Sequence, residues 1–273
     1  MIEDMTRIDY HLHTKLCRHA TGEMEEYVQV ALTKQFEEIG FADHFPMIYL
    51  PPTLDTSDYC MAEKEVPLYI QSVKELQNQY STDIRIKLGV EVDFCLGKEK
   101  IIKKLLQPFK FDYIYGSVHL VNDFIIDDDR NKAKYQNYDL FELYKTYFST
   151  QKKAIETGLF DILTHFDLPK KFGYRPQQPI AELTDEIVEA LVEQKMCIEL
   201  NTGGLRKPVK ECYPSTAILK KCYESDIPVT FGSDSHKPEE VGWEIERALS
   251  ILREVGYSQV CGFQNRKKVF YDI

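Results

Sequence analysis

Short apolar runs alternate with longer amphipathic stretches along the whole chain. The apolar runs have the length of strands and are rich in β-branched and aromatic residues. Seven of them are predicted to be strands: Arg7–His11, Glu38–Ala42, Ile84–Val92, Tyr113–Val118, Asp161–Thr164, Met196–Leu200 and Pro228–Phe231. No fixed-period repeat or glycine/serine linker interrupts the pattern. The pattern therefore indicates one continuous series of units.

The amphipathic stretches place apolar residues at helical spacing. In the first of them, Tyr27, Val28, Ala31 and Leu32 fall on one helical face. Helices are predicted over Glu25–Glu37, Ala62–Tyr80, Leu140–Thr157, Ile180–Gln194, Ser215–Ser225 and Glu239–Val255. Strand–helix alternation of this kind indicates a largely parallel sheet with crossover helices.

Seven strand–helix units without a boundary signal favour a single α/β barrel that spans residues 1–273. Periodicity alone leaves an open parallel sheet as the alternative. The composition, with 43% hydrophobic and 29% charged residues, is that of a globular protein and disfavours disorder.

The net charge and the cysteine content exclude some classes of binding protein and indicate the cellular compartment. The net charge of −10 argues against a general binder of nucleic acid or of anionic membranes. No apolar run has the length of a membrane-spanning helix, and the N-terminal residues lack a signal-peptide core. Seven cysteines, an odd number without a C-x-x-C pair, are typical of free thiols in a reducing compartment. We expect a cytoplasmic protein.

All seven histidines lie at or just beyond the carboxyl end of a predicted strand, together with one glutamate and one aspartate. These nine candidate metal ligands are His11, His13, His19, His44, Glu91, His119, His165, Asp234 and His236. In an α/β barrel the carboxyl ends of the strands converge on the active-site face. Each histidine alone is more often a core or surface residue, but the joint placement indicates a multinuclear metal site.

The local spacing supports shared ligation. In an extended H-x-H segment, the side chains of His11 and His13 point to the same side of the strand. The same alternation predicts that Asp234 and His236 face one site. Imidazole and carboxylate ligands suit zinc, iron or manganese, and the absence of cysteine at these positions argues against a structural thiolate site.

The motifs at these strand ends resemble those of the polymerase-and-histidinol-phosphatase (PHP) superfamily. They are H-L-H, C-R-H-A-T-G, A-D-H, G-V-E-V-D, G-S-V-H, T-H and S-D-S-H, in that order. The runs E-E-Y-V-Q-V-A and E-I-G-F-A-D-H-F-P are similar to the histidinol-phosphatase branch. The resemblance implies a distorted (β/α)7 TIM-like barrel with a trinuclear site at its carboxyl face.

The resemblance also implies how the ligands are shared among two to three divalent ions of zinc, iron or manganese. The implied sets are His11, His13, Glu91 and Asp234 for the first ion, Glu91, His119 and His165 for the second, and His19, His44 and His236 for the third. Glu91 would bridge two ions, because a carboxylate has two oxygens to offer.

Such a site suits hydrolysis of a small phosphomonoester, with a metal-bridging hydroxide as the nucleophile. The resemblance points to L-histidinol phosphate, hydrolysed to L-histidinol and phosphate in histidine biosynthesis. We expect Asp234, Glu91 and His236 to take part in catalysis. Asp234, or a metal-bound water beside it, is the candidate proton donor to the leaving group.

Substrate-binding residues are predicted in the loops that follow the strands. Arg175 and Arg206 could hold phosphate through the bidentate fork of a guanidinium group, or could be solvated loop residues. Ser117, in the G-S-V-H segment, could orient the substrate or simply pack. The loops Phe45–Cys60 and Val121–Lys134 are predicted walls of the pocket.

Two other functions compete with this hypothesis. Another PHP phosphoesterase or a nuclease is possible on the same barrel, but a nuclease needs a basic groove lined with aromatic residues, and the chain is acidic with one tryptophan. A non-catalytic, metal-stabilised interaction module is the alternative from another class. The full ligand set argues against it, because structural metal sites are usually closed. The sequence does not indicate an oligomeric state.

Overall fold

The computed structural model describes residues 6–50, 54 and 56–273. Its strands, in chain order, are β1 (Ile8–Leu12), β2 (Glu38–Phe41), β3 (Arg85–Asp93), β4 (Tyr113–Ser117), β5 (Leu120–Val121), β6 (Phe124–Ile125), β7 (Ile162–Leu163), β8 (Cys197–Asn201), β9 (Val229–Gly232), β10 (Gln259–Gln264) and β11 (Lys267–Asp272). Seven of these form one parallel sheet in the order β1-β2-β3-β4-β7-β8-β9. The seven strands therefore follow one another in the sheet in the same order as in the chain, and the short strands β5 and β6, between β4 and β7 in the chain, lie outside it.

Helices connect the parallel strands and pack around them. They are α1 (Met24–Thr33), α2 (Val66–Gln79), α3 (Glu99–Leu106), α4 (Leu140–Glu156), α5 (Ala181–Gln194), α6 (Thr216–Glu224) and α7 (Ile245–Val255). Each presents apolar residues to the sheet, as Tyr27, Val28 and Ala31 of α1 do. None of the helices in the described ranges is long and apolar enough to cross a membrane.

The two edges of the sheet meet where β1 and β9 end. Leu12 and Ser235 form a parallel bridge, in which the Ser235 amide donates to the His11 carbonyl at 3.0 Å and the His13 amide donates to the Ser235 carbonyl at 2.9 Å. The sheet thus becomes a nearly closed barrel at its carboxyl face. The predicted seven-stranded α/β barrel is confirmed.

A buried carboxylate holds this seam together. Asp9 of β1 is fully buried and accepts the Ser233 amide at 2.9 Å and the Gly242 amide at 2.8 Å. The Ser233 hydroxyl also donates to it. Burial raises the pKa of Asp9, although these hydrogen bonds lower it in part. One side chain therefore ties β1 to the segment that follows β9.

Aromatic side chains fill the barrel interior. The Tyr113 hydroxyl donates to the Tyr10 carbonyl at 2.6 Å, and the two rings lie 4.7 Å apart. A Cβ atom at Gly40 or Gly89 would lie 2.1 Å from atoms of Tyr113. Glycine at these two strand positions is what allows the tyrosine to cross the interior.

Several elements differ from the predictions. Helix α3 is too short and charged to be recognised by its pattern, although Ile102 and Leu106 are buried. The hairpin β10–β11 turns through Asn265 and Arg266, both with positive φ (50° and 64°), without the glycine that usually signals such a turn. The helix predicted over Glu239–Val255 begins only at Ile245, because the preceding residues form a turn.

We expect Asp9→Ala to lower the free energy of unfolding by about 2–4 kcal/mol, because it leaves buried amides of Ser233 and Gly242 without an acceptor. Urea denaturation in the presence of a chelator measures this separately from any effect of metal. The exposed Asp83→Ala variant is the control and should change stability by less than about 0.5 kcal/mol. Equal losses in both variants would contradict the assigned role of Asp9.

Candidate metal centre

The candidate ligands surround a cavity of about 470 Å³ at the carboxyl face of the barrel. Those that line it are His19, His44, Glu91, His119, His165, Asp234 and His236. His11 and His13 are buried at its base, where β1 ends. The structure thus brings together all nine side chains predicted from the strand ends.

Glu91 of β3 lies at the centre of the cluster, and its two oxygens face different groups. Its Oε2 atom lies 3.3 Å from His11 Nε2, 3.3 Å from His44 Nδ1 and 3.6 Å from His13 Nε2. Asp234 Oδ1 lies 3.3 Å from the same His13 nitrogen. These contacts match the set implied for the first ion, with His44 as an additional neighbour.

The other oxygen of Glu91 faces a second pair of histidines. Oε1 lies 3.0 Å from His165 Nε2 and 3.8 Å from His119 Nε2, and the two Nε2 atoms are 3.1 Å apart. The opposite ring nitrogen of His119 bonds Asp93. Glu91 is therefore placed to bridge two neighbouring positions.

The third group consists of His19, His44 and His236, whose ligand atoms lie within 4.8 Å of one another. His19 Nδ1 donates to the Cys17 carbonyl at 2.8 Å, and His236 Nδ1 donates to the Asp234 carbonyl at 3.0 Å. A carbonyl only accepts hydrogen bonds, so in the neutral rings both Nε2 atoms carry a lone pair. These two atoms face each other at 2.9 Å.

Such a contact between two acceptors requires a cation between them. A proton is disfavoured, because burial and the neighbouring His44 and His13 lower the pKa of His19 to about 4. Burial and His13 likewise lower the pKa of His236 well below its usual value. A metal ion fits this position, since neutral imidazole is its preferred nitrogen ligand.

The remaining donors fit metal ions in the same way. Several buried atoms have no hydrogen-bond partner among the described residues: both ring nitrogens of His13, Nδ1 of His44, Oδ2 of Asp93 and Nδ1 of His165. Buried polar atoms are normally paired, because leaving them unpaired costs free energy. Oxygen and imidazole nitrogen are the ligands that zinc, iron and manganese accept.

The local backbone differs from the extended D-x-H segment that the spacing predicted. Strand β9 ends at Gly232, and Asp234 has a left-handed backbone with φ of 55°. Asp234 and His236 nevertheless share the site, because this turn brings Asp234 Oδ1 within 3.6 Å of His236 Nδ1. His165 also has a positive φ, of 27°. Strained backbone at two candidate ligands is typical of functional sites.

Glu199 of β8 is a buried carboxylate that the sequence did not single out. It accepts a hydrogen bond from His11 Nδ1 at 2.6 Å, which directs Nε2 of that ring into the cluster. Burial lowers the pKa of His11, but Glu199 and Glu91 outweigh it and raise that pKa to about 10. The Asn201 amide and the Thr164 hydroxyl hold Glu199 in place. A glutamate within the apolar run M-C-I-E-L-N was the signal for this role.

The predicted substrate-binding residues have different surroundings. Arg206 lines the cavity, and its Nη1 atom is buried with no hydrogen-bond partner among the described residues. Its Nη2 atom donates to the Asp234 carbonyl at 2.7 Å. Arg175 is 47% exposed, pairs with Glu211 at 2.7 Å and does not line the cavity. Ser117 is buried and also outside the lining.

Other residues of the lining were not predicted individually. Lys171 and Lys207 add two cations beside Arg206, and Asp127 and Asp128 add carboxylates from the loop after β6. The predicted wall Val121–Lys134 therefore does line the cavity. Of the predicted wall Phe45–Cys60, the described residues Met47, Leu50, Leu54, Thr56 and Tyr59 do so, whereas residues 51–53 and 55 lie outside the described part of the chain.

We expect Glu199→Gln to weaken metal affinity by about 10–100-fold, because the neutral amide supports the His11 imidazole less well than the carboxylate does. Metal content after dialysis against graded chelator measures this loss. Glu193→Gln, exposed on α5, is the matched control and should retain metal like the unchanged protein. Equal retention in both variants would show that Glu199 does not support the site.

Comparisons with known proteins agree with this geometry. Residues 9–203 match the family model of the PHP domain. The chain is 38% identical to a "Probable histidinol-phosphatase" of Deinococcus radiodurans over 95% of this chain and 97% of that protein. It is 28% identical to the histidinol-phosphatase of Bacillus subtilis over 90% of this chain and 99% of that protein.

A solved structure shows the same fold. The crystal structure of histidinol phosphate phosphatase from Lactococcus lactis, complexed with zinc, L-histidinol and phosphate, superposes with a TM-score of 0.83. The identity is 22%, and the match covers 97% of this chain and 99% of that chain. Because the family model spans more than half of the sequence and the relatives align over nearly all of it, the chain belongs to the PHP family.

Proposed function

We propose that this protein is a metal-dependent phosphomonoesterase that hydrolyses L-histidinol phosphate to L-histidinol and phosphate. The observation that supports this most directly is the placement of Arg206, which lines the same cavity as the histidine cluster and whose buried Nη1 atom has no hydrogen-bond partner among the described residues. The choice of L-histidinol phosphate as the substrate rests on the names of the relatives, which are histidinol-phosphatases. The cavity of about 470 Å³ suits one small ester.

Two to three ions of zinc, iron or manganese would be held by the nine clustered side chains. The proposed sets are His11, His13, Glu91 and Asp234, then Glu91, His119 and His165, and then His19, His44 and His236. When bound, divalent ions at such a site activate water and offset the negative charge of the phosphoryl group. The protein supplies the fixed positions of these donors.

Three cations of the cavity wall would bind the phosphoryl oxygens. Burial lowers the pKa of Lys207, and repulsion by Lys171 and Arg206 lowers it further. An anion placed among these side chains would relieve the repulsion. Arg206 is the best placed of them, because two backbone carbonyls hold its Nη2 atom while Nη1 remains available.

Asp234 is suited to move a proton. Burial raises its pKa, but His11 and His13 outweigh this and hold the pKa well below its usual value, so the carboxylate is ionised at neutral pH. In this state it accepts a proton from the attacking water and can then pass it to the leaving alcohol oxygen. His236 stays neutral beside it, and Glu91 would offer one oxygen to each of two ions.

The alcohol half of the substrate carries an amine and an imidazole, which are cationic or hydrogen-bond donors. Asp127 and Asp128 line the cavity and offer carboxylates to such groups. Asp128 is held in place by the Tyr59 hydroxyl at 2.8 Å and by Arg130. We therefore expect this acidic loop to bind a positively charged leaving alcohol more tightly than a neutral one.

The proposed activity is tested with the purified, metal-loaded chain on a panel of phosphomonoesters. We expect kcat/KM for L-histidinol phosphate to exceed that for p-nitrophenyl phosphate by about 100-fold or more, because the acidic loop binds only the former. His119→Ala should abolish turnover of both. Equal rates on the two esters would overturn the substrate assignment, and no hydrolysis of any ester would overturn the phosphatase.

A pair of arginine variants separates the two predicted phosphate ligands. Arg206→Met should lower kcat/KM by about 10–150-fold, because it removes a hydrogen-bond donor to a charged oxygen. Arg175→Met should leave kcat/KM within about twofold, since Arg175 is paired with Glu211 outside the cavity. Steady-state kinetics on L-histidinol phosphate measure both, and the reverse ranking would assign phosphate binding to Arg175.

A further inference from the structure

Tyr213 is a residue of the cavity lining that carries a buried hydroxyl group. The residue is 2% exposed and lies in the loop between β8 and α6. It lines the cavity, yet its hydroxyl has no hydrogen-bond partner among the described residues. A buried hydroxyl is normally paired, because the unpaired group costs free energy. The partner of Tyr213 is therefore to be sought in the ligand that the cavity binds.

The tyrosine ring is held rigidly in this position. Its backbone pairs with that of Asn201, with N–O distances of 2.7 and 2.9 Å. The Lys170 ammonium lies 5.3 Å from the ring centroid on one side. A Cβ atom at Gly204 would lie 2.9 Å from the ring. The hydroxyl is thus fixed before any ligand binds, which favours affinity.

The hydroxyl keeps its proton and can therefore donate it in a hydrogen bond to an acceptor. Burial raises the pKa of Tyr213 well above its usual value, and Asp167 and Asp234 raise it further. Arg206, Lys207 and Lys171 line the same cavity. These three cations, in a cavity that Asp127, Asp128 and Asp234 also line, favour an anion with several oxygens, to which the hydroxyl can donate.

We propose that the Tyr213 hydroxyl donates a hydrogen bond to a phosphoryl oxygen of the substrate, beside Arg206. This inference rests on the proposed phosphatase function and assigns a further substrate-binding residue to it. Tyr213 and Arg206 belong to the same loop segment after β8, since Gly203–Arg206 forms a short 3-10 helix that precedes Tyr213. The alcohol half of the substrate carries donor groups, whereas the phosphoryl oxygens are charged acceptors and form the stronger hydrogen bond with a hydroxyl donor.

The test compares Tyr213→Phe with the unchanged, metal-loaded chain by calorimetric titration with inorganic phosphate and, separately, with L-histidinol. We expect phosphate to bind about tenfold more weakly to the variant, which is the effect of one hydrogen bond to a charged acceptor. The affinity for L-histidinol should stay within about twofold, since the substitution removes only the hydroxyl. The value of kcat/KM for L-histidinol phosphate should fall with the phosphate affinity.

Tyr257→Phe is the matched control. Its hydroxyl is buried and donates to the Ile227 carbonyl at 3.0 Å, and the residue does not line the cavity. This variant should bind phosphate like the unchanged protein while losing some stability. Tyr213→Phe should instead unfold at the same or a higher temperature without ligand, because it removes an unpaired buried group, and its stabilisation by phosphate should be smaller.

Unchanged phosphate affinity in Tyr213→Phe would overturn the inference, and so would a loss confined to L-histidinol. The proposed function fails separately, if the unchanged chain does not hydrolyse L-histidinol phosphate. Phosphate binding by calorimetry still reports on the Tyr213 contact in that case, because it requires no turnover.

Discussion

The seam between β1 and β9 is the contact on which the rest of the molecule depends. Asp9 and Ser235 join the first and last strands of the parallel sheet, so that the segments that begin and end the ligand series lie side by side. His13 and Asp234 then approach to 3.3 Å although they are far apart in sequence. The same turn holds Arg206 through the carbonyls of Ser233 and Asp234. Barrel closure, the last of the candidate metal ligands and the proposed phosphate contact thus share one short segment.

Carboxylates bond the outer ring nitrogens of some histidines in the cluster but not of others. Glu199 supports His11, and Asp93 supports His119, whereas His19 and His236 bond only backbone carbonyls. These carboxylates raise the pKa of both rings, that of His119 to about 10 despite its burial, and so make the two rings more basic donors to a metal ion. The last two remain neutral. The site thus offers positions of different electrostatic character to the ions it would hold.

The strands and the nine clustered side chains could be predicted because parallel strands impose a simple rule, in which residues at strand ends meet. The hydrogen bonds of Glu199 and Asp93 to histidine rings could not be predicted from the sequence. They depend on which ring nitrogen faces the cluster, and only the folded structure determines that. Arg206 and Arg175 are equivalent in the sequence, since both follow a strand, but Glu211 is near only one of them. The hairpin β10–β11 was missed because its turn uses Asn265 and Arg266 instead of glycine.

The seam also determines when, during synthesis of the chain, the candidate ligands can come together. Ribosomes deliver the chain from its N-terminus, so His11, His13 and Glu91 emerge long before Asp234 and His236. A nascent barrel that lacks β9 has an open edge at β1 and an incomplete set of ligands. Loading of the third group of imidazoles therefore has to follow translation of the last parallel strand. The full cluster of nine side chains can therefore form only late in synthesis.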